Sequence, residues 1–191
     1  IGTNALDQRL VDQMLIDLPI QLEGVRSRGY VHNRPLKNTL ELLDREWKGA
    51  RPRVERMIKA RIQQLESSFE NAQSRVTKMK ATNESTISAA ETAVNVLESQ
   101  IESAETAIKA QYEGIETRLD ASKQQLAQVS EMMDWIDSSD AIALREAEGP
   151  LQAVEAEWQT NGKNEGLDGI LLLTDQRLLF EQREEIVTKK K

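Results

Sequence analysis

The side chains that could do chemistry are few, and their spacing does not suit it. His32 is the only histidine in the 191 residues. It stands in a polar stretch with Gly24, Arg26, Arg28, Gly29 and Arg34, where no second ligand has a metal-binding spacing. The stretch reads as a solvated connector. Cysteine is absent, which excludes disulfides and thiolate metal sites and leaves the redox compartment undetermined. Carboxylates are plentiful, but Glu91, Glu98, Glu102 and Glu105 recur at seven-residue and three- to four-residue steps, the pattern of a solvated helix flank. A di-metal helical bundle needs Glu-x-x-His, which this chain does not contain. Nor does it contain a Gly-rich phosphate loop, an HExxH motif or a Gly-x-Ser-x-Gly elbow. The expectation is a non-enzyme with no cofactor, no metal and no small-molecule substrate.

Composition points the same way. Charged residues make up 30% and aromatic residues 4%, as suits long solvated helices with narrow apolar seams. A net charge of −7 and a pI near 5.0 argue against nucleic acid as the main partner, which needs a basic footprint. No apolar run is long enough to span a membrane and no signal peptide is visible. The expected place is the cytoplasm, with peripheral attachment to a membrane as its variant. A start at Ile1 and an end in Thr188-Lys189-Lys190-Lys191 read as a piece of a longer protein.

The dominant element is the stretch from about Arg53 to Asp137, with no proline and only Gly114 as a glycine. Ile58, Ile62, Leu65, Phe69, Ala72, Val76 and Met79 alternate steps of four and three, which keeps one stripe facing a partner helix. Ile87, Val94, Ile101, Ile108, Ile115, Val129 and Ile136 form a second heptad column, with Ser122 its polar member. Ala90, Leu97, Ala104 and Gln111, then Leu119, Leu126 and Met133, form the companion column, which slips by one residue after Gln111. The two runs meet out of phase at the polar patch 81–86. There the chain either turns back as a hairpin or passes through a stutter in one rod.

Charge favours the hairpin. From Leu36 to Lys80 there are eleven Lys or Arg against six Asp or Glu; from Glu84 to Asp137 there are three against eleven. Oppositely charged arms attract when antiparallel, although each exposed pair contributes only about 0–1 kcal/mol. The predicted class is therefore mainly α: a long antiparallel coiled-coil hairpin over 36–137, with arms at about 36–80 and 87–137. The rival is one straight helix paired antiparallel with a second copy. Either arrangement predicts self-association through the seams.

The flanks are shorter elements. Residues 1–35 are expected to form an amphipathic helix from Ala5 to about Leu18, carrying Leu6, Leu10, Met14 and Leu18 with Val11 and Leu15 widening the stripe, followed by a linker after Pro19. Its acidic polar side, with Asp7, Asp12 and Asp17, suits packing on protein better than on anionic lipid. Gly49 and Pro52 predict a break or a kink in the first arm. Residues 138–166 are expected to hold short helices, one beginning near Ala141 and one at Pro150 that carries Leu151, Val154 and Trp158 on one face, and then a loop. Residues 167–191 carry the only strong β signal, with two apolar runs flanking Asp175-Gln176 as a small hairpin, apolar enough to be covered on both faces.

Within that hairpin, Gly169, Leu171, Leu173, Thr174, Arg177, Leu178 and Phe180 resemble the Gly-x-Leu-x-Leu-Thr-x-x-Arg-Leu-x-Phe strand pair of the pleckstrin-homology-like superfamily, in particular its GRAM and bacterial PH members. The likeness covers about a dozen residues, fewer than such a domain needs. It implies that Arg183, Lys189, Lys190 and Lys191 would contact anionic lipid in a complete domain. The helical hairpin is similar in outline, without a shared motif, to the phage-shock-protein A and ESCRT-type membrane-remodelling proteins. Three functions follow as expectations: a coiled-coil scaffold or spacer that oligomerises and presents a PH-like module; a polymer-forming membrane-remodelling protein; or the regulatory helical region of a larger protein.

Overall fold

The computed structural model describes residues 2–79, 83–139, 141–159 and 166–183. Four helices precede a three-stranded antiparallel sheet: α1 (Gly2–Ser27), α2 (Pro35–Lys78), α3 (Glu84–Lys109), α4 (Glu113–Asp137), β1 (Pro150–Trp158), β2 (Leu167–Thr174) and β3 (Leu178–Gln182). The strands lie in the order β1-β2-β3, so the sheet is a meander. Lys80 to Thr82, Asp140, most of the loop 161–166 and Lys189 to Lys191 lie outside the described residues.

The helix boundaries follow local chemistry. α3 starts on Asn83, an extended N-cap whose side-chain oxygen accepts from the Ser85 and Thr86 N–H groups, with Glu84 in the first turn. α2 ends at Lys78 with Arg75 and Lys78 in its last turn, and α3 is assigned as a separate helix from Glu84. α3 and α4 part at Ala110–Tyr112, where the companion column slips. At Gly49 and Pro52, α2 runs on without interruption, because Pro52 is exposed and the burial of Trp47, Ala50 and Val54 around it holds the helix together.

Three expectations about the flanks are corrected. α1 continues past Pro19 to Ser27, which shrinks the linker to 28–34. Its stripe is Val11, Leu18, Leu22 and Val25, all buried, whereas Leu10 is 58% exposed; the seam repeat carries across the proline and outweighs its missing N–H. No helix forms over 141–149. Its backbone groups bond instead to side chains: Arg145 N–H to Glu148 Oε2 within the segment (2.8 Å), and the Ala143 and Ala147 carbonyls from Arg177 (2.7 Å) and Gln176 (3.3 Å) of the β2–β3 turn. Residues 150–158 form β1 and not a helix. Leu151, Val154 and Trp158 fit a helical face, but Val154, Ala156 and Trp158 also alternate. The ladder with β2 decides between the two, with Pro150 tolerated as its first residue.

The chain divides into two compact units. In the first (Ile1–Leu15, Glu41–Asp120), Trp47 is buried beside Tyr112, the rings 6.0 Å apart and edge to face. Both polar tips find acids on α1: Trp47 Nε1–H donates to Asp12 (2.7 Å) and the Tyr112 hydroxyl to Asp7 (3.3 Å). Burial, first, and the neighbouring Asp7 push the Tyr112 phenol well above its usual range. In the second (Ile16–Leu40, Ala121–Lys191), Leu18, Leu22, Leu40, Leu126, Met133, Ile142, Ile170 and Leu172 are buried. Arg28 reaches two carboxylates of the last α4 turn, Asp134 and Asp137, at 2.8 Å each.

Candidate interaction surfaces

On α2 the heptad column Leu65 and Ala72 is buried, whereas the neighbouring column Ile62, Phe69 and Val76 is 37%, 54% and 46% exposed. Ile62, Leu65 and Phe69 line one groove with Leu97 and Ile101 of α3, apolar but for Glu66. The other side of the same helix pair is lined by small and polar residues, among them Ser68, Asn71, Ser85, Ser88 and Thr92. One flank of the pair is therefore suited to burial and the other to water.

Of the remaining seam residues, Ile108, Ile115, Leu126, Val129 and Met133 are buried, Ile58, Ile87, Val94, Leu97, Ile101 and Ile136 are half-buried, and Met79 is 43% exposed. The buried members lie on α4 and the adjoining end of α3. Those towards residue 83 stay accessible. Ser122, the polar member of its column, is buried, as are Tyr112 and Met132, which were not foreseen as anchors; the steps of three and four from Tyr112 through Ile115 to Leu119 were the available signal for the first.

The second surface is the sheet. Val154, Leu171 and Phe180 are cross-strand neighbours, as are Gln152, Leu173 and Leu178, and Trp158 with Leu167. Directly paired residues share a face, so these side chains form one apolar surface. Trp158, Leu167, Leu173 and Leu178 are 52%, 46%, 43% and 59% exposed, while Ile170 and Leu172 on the opposite face are buried. Only one face of β2 is covered, against the expectation of two. Gly169 lies beneath this surface: a Cβ there would meet Phe180 Cζ at 2.7 Å and the Glu181 carbonyl. Glycine lets the Phe180 ring fold across β2 to within 5.5 Å of the Trp158 ring.

The β2–β3 turn is fastened by a carboxylate that the sequence did not reveal. Glu148 is buried and accepts from Arg177 Nε (2.8 Å) and Nη2 (2.9 Å) and from the Thr174 hydroxyl (2.7 Å). Thr174 Oγ1 in turn accepts from the Arg177 N–H at 2.9 Å, closing the turn. Asp175 and Gly149 exchange two bonds of 3.0 Å, from Gly149 N–H to Asp175 Oδ1 and from Asp175 N–H to Gly149 O. The Arg177 guanidinium, chiefly, holds the Glu148 carboxyl down at about 2, against the opposing effect of burial. Both Glu148 carboxylate oxygens are thus bonded inside the fold, so the carboxylate ties the segment before β1 to the β2–β3 turn.

Arg183 lies where a positive side chain steadies a helix end. It donates to the Trp135 carbonyl (3.3 Å) and the Ser138 hydroxyl (3.2 Å) at the C-terminus of α4 and stands 3.5 Å from Glu181. His32 packs on Gly149 and edge-on to Tyr30, 6.0 Å between ring centres. Among the described residues no group of three or more His, Asp or Glu is placed to hold a metal, and no helix is long and apolar enough to cross a membrane. Comparison of the chain with protein-family models, with curated proteins and with solved structures gives no match.

Proposed function

We propose that this chain is a non-enzymatic coiled-coil scaffold. In this reading α2 and α3 pair as an antiparallel coiled-coil hairpin that turns near residue 83, its seam is completed by a further helix, and the C-terminal sheet is the PH-like module that the scaffold presents. The observation that carries the reading is the column Ile62, Phe69 and Val76, three apolar side chains seven residues apart that stay exposed beside α3. Such a column gains from burial, and nothing in it can bind or transform a polar substrate.

The hairpin is tested with spin labels at Val76 and Ser88, in protein diluted with unlabelled chains so that one molecule contributes. Packed helices place the labels about 10 Å apart. One continuous helix places them about 18 Å apart, twelve residues at 1.5 Å rise, and that distance would sink the reading.

A further inference from the structure

The groove between α2 and α3 has a rim as well as a floor. On α3, Glu91, Glu98 and Glu105 each stand three residues before Val94, Ile101 and Ile108, and so lie beside that apolar column on the side away from Ala90, Leu97 and Ala104. On α2, the column outside Ile62 and Phe69 is Lys59, Glu66 and Gln73, with Glu70 one turn from Glu66. Glu66 itself lines the groove. Lys59 and Lys109 stand at the end farther from residue 83. The apolar floor is thus bordered by acid on α3 and by a nearly neutral row on α2.

Resting on the hairpin reading above, we infer that this groove is the docking site for a basic amphipathic helix of another protein, with apolar residues at heptad spacing and Lys or Arg on both flanks. A helix laid between α2 and α3 buries its stripe against Ile62, Phe69, Leu97 and Ile101 and brings its flanks against Glu66 and Glu70 on one side and Glu91 and Glu98 on the other. A second copy of this chain fits less well. The rims it offers are the same two, so the best match it brings to Glu91, Glu98 and Glu105 is the row with Lys59 as its single cation. Self-association by this surface, which the seam pattern alone predicts, is therefore not favoured by charge.

The test uses the full chain and two synthetic three-heptad peptides with leucine at the a and d positions, one with lysine at e and g, the other with glutamate. Fluorescence anisotropy is expected to show saturable binding of the lysine peptide that weakens with salt, and none of the glutamate peptide. Ile62→Ser with Phe69→Ser, at positions exposed in the free chain, is expected to weaken binding roughly tenfold or more with helicity unchanged. Glu91→Lys with Glu98→Lys is expected to remove most of the preference for the lysine peptide, since Glu66 and Glu70 remain on the other rim. Equal binding of both peptides, or lysine-peptide binding that the serine pair leaves intact, overturns the proposal. So does a free chain of dimeric mass that the serine pair returns to a monomer, since the occupant would then be a second copy. The label distance at Val76 and Ser88 reports separately on the hairpin, so a failed docking site and a failed hairpin are told apart.

Discussion

Glu148 joins three segments through one carboxylate: the irregular stretch before β1, Thr174 at the end of β2 and Arg177 before β3. Its carboxyl titrates at about 2, below its ordinary 4.5, first through the bonds from Arg177 and then through those from Arg145 N–H and Thr174. A carboxyl lowered on folding adds stability that is complete above 4.5 and is lost as the pH falls towards 2. Glu148→Gln is therefore expected to lower the thermal midpoint at pH 7, with the gap from the unaltered protein closing between pH 4.5 and 2. A gap of constant size across that range would show that the ion pair is not the cause. Thr174 and Arg177 stood out in the sequence because they punctuate an apolar run. Glu148 did not, because nothing local separates it from Glu146 or Glu155; only the fold brings it within 2.8 Å of Arg177. Asp7 and Asp12 were hidden in the same way, read only as the acidic polar side of α1 although they receive the tips of Tyr112 and Trp47.

Where an element is governed by its own repeat, the sequence discloses it. The α2 stripe, the slip after Gln111 and the β2–β3 hairpin are all legible because seven-residue columns and a strand–turn–strand pattern are local properties. Pro19 and residues 150–158 are not legible in that way. The proline is carried by the burial of Leu18 and Leu22 on either side of it, and β1 by its ladder with β2, and both are long-range gains that override local preference. The start of α3 is local and can be tested as such. Asn83 caps it with bonds to the Ser85 and Thr86 N–H groups. Asn83→Ala is expected to cost about 1 kcal/mol in denaturant unfolding, while Asn83→Asp keeps most of that stability. Equal losses from both substitutions would remove the cap from this account.

For the chain as a whole, the deciding quantity is where its positive charge is committed. With 25 Lys and Arg against 32 Asp and Glu it has a net charge of −7, yet among the charged residues of α2 the basic ones outnumber the acidic ten to six. Several arginines that a membrane would need are already paired within the chain: Arg28 with Asp134 and Asp137, Arg51 with Asp12 and Glu55, Arg118 with Glu46, Arg177 with Glu148 and Arg183 with the end of α4. Lys189, Lys190 and Lys191 together offer about 3 kcal/mol at an anionic surface, at about 1 kcal/mol per cation, and the net negative charge opposes even that. The scaffold reading therefore expects the protein to stay in the supernatant when spun with phosphatidylserine-rich vesicles at physiological salt, and to leave the vesicles spherical. Pelleting with tubulation would favour the membrane-remodelling alternative and would require the cations now paired within the fold to exchange their carboxylates for lipid phosphates. Recovery in the supernatant would favour the scaffold reading over the membrane-remodelling one.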